Sequence, residues 1–381
     1  MSHPYDVIVL GIGGMGSAAC WHLARRGQRV LGLERFDIPH AMGSSHGVNR
    51  IIRLAYFEDP SYVPLLRRAY ENWREAETRF GEQLLYVTGS IDAGPEGSRV
   101  VQGALTACRL HDLPHEILDA AALNARFPGY ALPAGHAALL QSEGGFVASE
   151  RGIVAHVALA QGAGADIRAR ERALSWEPAG DGVRVRTERG TYEAGRLVLA
   201  AGAWMQDIVP ALAGRALPER QVLGWFQPRD PAAFTLSTFP VFNALFEEGH
   251  FYGFPAWGQP GFKLGLYHHL NETGPAETID REVHAYDEAA LRTALARYFP
   301  KADGPTMALR ACLFTNTPDE HFVLDTLPDL PQVVVASPCS GHGYKFCSVI
   351  GEILADLAID GETRFDIGLH RIGRLLGTAT G

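Results

Sequence analysis

The residue pattern predicts an α/β protein in which a doubly wound domain is interrupted twice by a second, α+β domain. Three observations carry this reading. Residues 5–10 form an apolar strand that runs into a glycine-rich turn and a helix. Apolar strands of the same buried type return at residues 197–201 and 333–336. The stretches between them have a different texture, one rich in Gly and Pro and one rich in aromatics. The first domain is therefore assigned to residues 1–85, 147–215 and 305–381, and the second to 86–146 and 216–304. A chain of 381 residues is longer than one compact domain usually is, which agrees with two.

The elements follow in order. Residues 5–10, 14–26 and 28–34 read as strand, helix and strand, the opening unit of a doubly wound sheet. Residues 61–80 read as a helix, with Tyr62, Leu65, Leu66, Tyr70 and Trp73 spaced for one face. Residues 86–146 look irregular. A helix over 151–163 and a strand over 166–176 come next, then strands at 183–187, 191–194 and 197–201. Residues 216–304 carry short aromatic strands, expected to form an antiparallel sheet, and a helix near 286–298. A strand at 333–336, a Gly-rich turn and a helix over 345–359 close the chain.

Composition excludes several classes. Hydrophobic residues are 46% and charged residues 20%, ordinary for a protein with a full core. A net charge of −9 argues against a general nucleic-acid binder. No stretch of about 18 apolar residues exists to span a membrane. The first apolar run, 7–10, is too short for a signal core, so a cytoplasmic protein is expected. Cys20, Cys108, Cys312, Cys339 and Cys347 are scattered and odd in number, which reads as reduced thiols without metal-type spacing. Glu320, His321 and Asp325 lack a partner set, and no metal is expected.

The sharpest local motif is Gly11-Ile12-Gly13-Gly14-Met15-Gly16, between strand and helix. Gly11 permits the tight turn, Gly13 lets the backbone approach a pyrophosphate, and Gly16 lets helix and strand pack closely. The helix start offers unpaired N–H groups to phosphates. Glu34, at the end of the second strand, can accept from a ribose hydroxyl. Together they predict an adenine dinucleotide in a Rossmann-like domain. No second such motif follows; one site beside a long second domain favours FAD over a nicotinamide, and Arg35, Ser44, Gly202 and Tyr344 are assigned to the cofactor side with the loop.

Other residues stand out by type and setting. Arg50 and Arg53 flank two Ile with no nearby acid, so at least one buried guanidinium is expected to need an anion. Lys345 follows the Gly341-His342-Gly343 turn at a helix start, where an ammonium can meet a carboxylate. Lys263 lies inside the apolar run 262–267, where its ammonium either serves the site or reaches solvent along its stem. His46 is placed on the flavin side, and Tyr252 as an aromatic wall for an N-alkyl group.

Gly43-Ser44-Ser45-His46-Gly47, Arg50-Ile51-Ile52-Arg53, Tyr252-Gly253-Phe254-Pro255, Lys263-Leu264-Gly265, Cys312-Leu313-Phe314-Thr315-Asn316-Thr317-Pro318 and Ser340-Gly341-His342-Gly343-Tyr344-Lys345-Phe346 occur in that order. Taken together they resemble the monomeric sarcosine oxidase family, which includes N-methyltryptophan oxidase, along essentially the whole chain. The resemblance implies an FAD-linked oxidase of secondary amines such as N-methyl amino acids, working as a monomer. Such an enzyme moves a hydride to flavin, releases an imine that hydrolyses, and reduces O₂ to H₂O₂. It implies covalent flavin attachment at Cys312, with Cys339 the alternative. It also implies a substrate carboxylate held by Arg53 and Lys345, and oxygen activation by Lys263. Phe314 and Tyr267 depart from the pattern, standing where sarcosine oxidase has a tyrosine and a histidine. A dehydrogenase serving another electron carrier, a noncatalytic flavin-binding subunit and an NAD-linked enzyme are the alternatives at this stage.

Overall fold

The computed structural model describes residues 4–377. Tyr5–Leu10 turns at Gly11 into the helix Gly14–Ala24 and returns through Val30–Leu33, which runs parallel to it. Both strands belong to an eight-stranded sheet whose main path is Ala173–Ala179, Gly182–Thr187, Thr191–Leu199, Tyr5–Leu10, Val30–Leu33 and Asp166–Arg168. Leu330–Ser337 pairs in parallel with Thr191–Leu199 and antiparallel with Val323–Leu327. The helix Gly14–Ala24 packs between Ser149–Gly162 and Cys347–Ile359 and is buried almost all round, which suits its run of Ala, Cys, Trp and Leu.

A second eight-stranded sheet runs in the order Thr306–Asn316, Leu217–Phe226, Phe262–Leu266, Gly249–Phe254, Val241–Phe246, Ser90–Pro95, His136–Gln141 and Glu116–Asp119. It is antiparallel apart from the pairing of Val241–Phe246 with Ser90–Pro95. Phe234, Phe239, Phe242, Phe262 and Phe299 fill the core between this sheet and the helix Ala285–Tyr298. A small antiparallel sheet joins Asn49–Ile52, Gly145–Ala148 and Leu85–Val87.

Several expectations need correction. Residues 86–146 are ordered, with Ser90–Pro95, Arg99–Leu110, Glu116–Asp119, Ala120–Arg126 and His136–Gln141 in regular structure. Most of their Gly and Pro sit in the joints between short elements, while Gly94 and Pro95 end a strand and Gly103 lies inside a helix, so the punctuation masked the elements. The strand expected over 166–176 is two, because Arg170 takes a left-handed backbone (φ 56°) between them. The strands expected at 191–194 and 197–201 are one, Thr191–Leu199, since Gly195 does not break the ladder. Thr306–Asn316, assigned from sequence to the nucleotide domain, instead forms the edge of the second sheet against Leu217–Phe226. Among the described residues, no helix is long and apolar enough to cross a membrane, and no group of three His, Cys, Asp or Glu side chains could hold a metal ion.

Candidate cofactor and substrate site

One cavity of about 590 Å³ reaches from the glycine turn to the second sheet. At its nucleotide end the glycines are sterically required. Gly11 has φ +90°, and a Cβ there would lie 2.6 Å from the Ala200 carbonyl oxygen. A Cβ on Gly16 would lie 1.8 Å from the Gly11 carbonyl oxygen, so helix and strand could not close. Gly13 is open, with its nearest neighbour, Ser45 Oγ, at 3.6 Å from such a Cβ, and Gly14 packs under the Tyr344 ring. The helix begins with no side-chain bond from its cap residue and no acidic residue in its first turn; the Gly14 N–H donates to Ser45 Oγ at 3.3 Å, and the amides after it are available to an anion. Glu34 accepts from the Ile12 N–H at 2.8 Å and the Phe36 N–H at 2.9 Å, bracing the turn while lining the cavity. Burial pushes its carboxyl up, but His40 and those amides hold it below the usual range. At the rim, Arg35 pairs with Glu277 at 2.7 Å and lies over the Phe36 and Trp204 rings. Gly202 also lines this end. Ser44 Oγ is buried there without a partner among the described residues.

Farther in, Cys312 stands out chemically. Arg50, on the strand Asn49–Ile52, donates to Cys312 Sγ at 3.4 Å and to the Ser44 carbonyl at 2.9 Å. Burial pushes the Cys312 thiol up, yet the charges of His46 and Arg50 outweigh it and bring it down to about 6. Cys339 lines the same cavity, but burial drives its thiol up to about 12. His46 is buried behind the wall, not on it, and its Nε2 has no partner among the described residues.

Arg53 departs from the sequence reading in its partners. It is buried, and one guanidinium nitrogen meets both Glu58 oxygens at 2.9 and 2.8 Å. Another donates to the Ala55 carbonyl at 2.6 Å, and Nε lies 3.7 Å from Asp92. The expectation of no nearby acid is therefore corrected: the chain turns back after Ile52 and brings Glu58 onto Arg53. Burial alone would weaken the Arg53 charge; Glu58 and Asp92 more than offset it. Because Arg50 lies on a strand and Arg53 just beyond it, they serve different places, Arg50 the thiol and Arg53 the Glu58 carboxylate.

Lys345 lies in the short helical segment Tyr344–Phe346 that leads into Cys347–Ile359. Its Nζ donates to the His342 carbonyl at 2.7 Å. Burial and the neighbouring Arg53 charge lower the ammonium to about 7. The His342 ring is engaged on both sides, by the Tyr56 hydroxyl at 2.5 Å and the Glu320 carbonyl at 3.0 Å. Gly341 has φ +76°, and any side chain there would strike Tyr267 and Phe314. Gly343 closes the turn against the Pro338 carbonyl. Tyr252, Phe254, Tyr267 and Phe314 complete an aromatic wall.

Lys263 does not line the cavity. Its Nζ donates to the Gly47 carbonyl at 2.7 Å and to the Asn49 carbonyl and Oδ1 at 2.8 Å each. It also sits 4.2 Å from the Phe254 ring centre and is 2% exposed. The route to solvent along its stem is thus excluded. Burial first, then the Arg50 charge, push its ammonium far below the ordinary lysine range. Glu58, Asp92, Asn243 and His250 belong to the site and were missed. Glu58 was readable as an acid close to Arg53; the other three depend on strand pairing that no local pattern encodes.

The sequence matches the family described as FAD dependent oxidoreductase over residues 6–357. The chain belongs to that family. This oxidoreductase is 44% identical to a monomeric sarcosine oxidase of Streptomyces avermitilis over 380 residues, 98% of this chain and 99% of that one. It is 34% identical to an N-methyl-L-tryptophan oxidase of Salmonella enteritidis PT4 over 373 residues, 97% and 99% of the two chains. Among solved structures it resembles NikD, described as an unusual amino acid oxidase essential for nikkomycin biosynthesis. The TM-score is 0.83 at 29% identity, covering 96% of this chain and 97% of that one. A glycine oxidase from Geobacillus kaustophilus shares the fold, with TM-score 0.82 at 22% identity and full coverage of both chains. The cavity fits the family's FAD on three counts: the uncapped helix start, the turn that admits no Cβ at Gly11 or Gly16, and the orphaned Ser44 hydroxyl.

Proposed function

We propose that this oxidoreductase is an oxidase of secondary amines, acting on N-methyl or N-alkyl amino acids, with its flavin bonded covalently to Cys312. The observation that carries the reading is the pairing, in one cavity, of a thiol brought down to about 6 with two buried cations, Arg53 and Lys345. The curated relatives named for sarcosine and N-methyl-L-tryptophan support it. FAD, when bound, supplies the two-electron acceptor for the C–H bond beside the amine nitrogen and hands the electrons to O₂, giving H₂O₂. The protein's share is positioning. Arg53 and Lys345 hold the substrate carboxylate, and the aromatic wall of Tyr252, Phe254 and Phe314 keeps water from the amine until the imine leaves to hydrolyse. Arg50 and His46 keep Cys312 as thiolate, the form able to bond the flavin. On this reading the enzyme works as a cytoplasmic monomer on a small amino-acid-like substrate and O₂.

The attachment is tested by acid precipitation. A thioether survives denaturation, so the wild-type pellet is yellow and the Cys312→Ser pellet is colourless, while Cys339→Ser keeps its colour. All flavin in the wild-type supernatant would overturn covalency. Peroxide release from a panel of N-methyl amino acids tests the activity; turnover only with an added electron carrier would replace O₂ as the acceptor.

A further inference from the structure

The strand register builds a polar row into the aromatic wall. Asp92, Asn243 and Tyr252 are direct neighbours on three adjacent strands, so their side chains share one face of the sheet. His250 lies two residues before Tyr252 on the same strand and therefore points to that face as well. Asn243, His250 and Tyr252 all line the cavity. His250 contacts Phe57, with ring centres 5.5 Å apart, and Tyr267 at 5.3 Å. Phe57 in turn lies under the Arg53 guanidinium, 4.6 Å from it. A substrate whose carboxylate reaches Arg53 thus carries its α-substituent within about a ring's width of His250.

These groups are short of partners. His250 Nε2 is buried with no hydrogen bond among the described residues. His22, His46, His136, His156, His269 and His370 also hold unpartnered ring nitrogens, but none of these lines the cavity. Asn243 has one side-chain hydrogen bond among the described residues, to Asp92 at 3.5 Å, the outer limit of such a contact. Burial holds the imidazole far down, at about 4, so His250 is neutral at pH 7 and offers one donor and one acceptor instead of a charge. A neutral imidazole beside a carboxamide suits an uncharged polar group, because the charges nearby are already engaged, Arg53 with Glu58 and Lys345 with the His342 carbonyl.

We infer that the preferred substrate bears an uncharged hydrogen-bonding group, a hydroxyl or carboxamide, on its α-carbon side chain, received by His250 with Asn243 beside it. This rests on the secondary amine oxidase reading and narrows it to N-methyl amino acids of the serine or asparagine type. A site with an unfilled polar partner discriminates strongly against analogues that lack the matching group.

The test measures peroxide release by the flavin-loaded enzyme. N-methyl-L-serine is compared with N-methyl-L-alanine, and N-methyl-L-asparagine with its near isostere N-methyl-L-leucine. At least one polar member is expected to exceed its apolar counterpart in kcat/KM by about tenfold or more. His250→Phe is expected to bring that ratio close to one, and His250→Gln, which retains a hydrogen-bonding amide, to keep part of it. The ratio is taken within each variant, so lost folding or flavin content cancels. Wild-type ratios near one, or an unchanged ratio in His250→Phe, overturn the inference while leaving amine oxidation standing. No peroxide from any of the four or from sarcosine sinks the amine oxidase reading and this inference with it.

Discussion

Arg53 enters the site already paired, and that shapes what its removal does. Taking away one partner of a buried, hydrogen-bonded charge pair costs about 2–5 kcal/mol, or roughly 30- to several thousand-fold in affinity. Arg53→Met and Lys345→Met are each expected to weaken a carboxylate inhibitor by an amount in this range, read by flavin absorbance titration. The pH dependence separates them. Lys345 titrates near 7 before ligand binds, so it is charged below that pH and neutral above it. Inhibitor affinity should therefore fall as pH rises through about 7; Lys345→Met should shrink this step to the part that Asp92, whose carboxyl burial lifts to about 7, contributes, while Arg53→Met should keep the step and move it to higher pH. That Cys312 and Lys345 line the cavity could be expected from the sequence, because each stands in a short, distinctive string. The Arg53–Glu58 pair could not, because it depends on how the chain folds back between Ala55 and Phe57, and no helical or strand period encodes that turn.

The second sheet carries an ion pair that ties one element to another. Arg220, on Leu217–Phe226, meets both oxygens of Asp287 at 2.7 Å, and Asp287 lies in the first turn of Ala285–Tyr298. His269 adds a third contact at 2.8 Å. Both Arg220 and Asp287 are buried. Arg220→Met leaves the buried Asp287 carboxylate with only His269 and the His284 amide and without its guanidinium, and is expected to destabilise the protein by about 3–5 kcal/mol, measured by denaturant unfolding. Burial pushes the Asp287 carboxyl up, but Arg220, the His284 amide and His269 bring it down to about 2. Its folded value is thus below the unfolded one of about 3.9, so the stabilisation is present above pH 4 and lost as pH falls toward 2. The deficit of Arg220→Met should accordingly be larger at pH 6 than at pH 3. At this scale periodicity revealed the helices Val63–Phe80, Ser149–Gly162 and Ala285–Tyr298 to within a few residues. It could not place Thr306–Asn316, whose apolar run reads alike in either sheet; its partner, Leu217–Phe226, lies far away in sequence.

Across the whole molecule, Lys263 is a strut from the second sheet to the small one, reaching Asn49 from Phe262–Leu266. Oxygen activation by this lysine remains our proposal: burial lowers its ammonium, but three oxygen acceptors hold it as a donor behind the Phe254 ring of the cavity wall, and a positive charge there would stabilise charge developing on O₂ while leaving the neutral reactant almost unaffected. Lys263→Met should slow the oxygen half-reaction at least about tenfold in stopped flow, with anaerobic reduction by substrate changing much less. Equal slowing of both halves would assign Lys263 to the strut alone. The placement of Leu330–Ser337 has a consequence for how the enzyme is made. This strand completes the nucleotide sheet against Thr191–Leu199, and the turn carrying Lys345 follows it. A nascent polypeptide on the ribosome exposes its glycine turn early, but it leaves the edge of Thr191–Leu199 bare and the cavity open until those residues emerge. Flavin capture, and the attachment we propose at Cys312 with it, therefore waits until Leu330–Ser337 and Lys345 have been made.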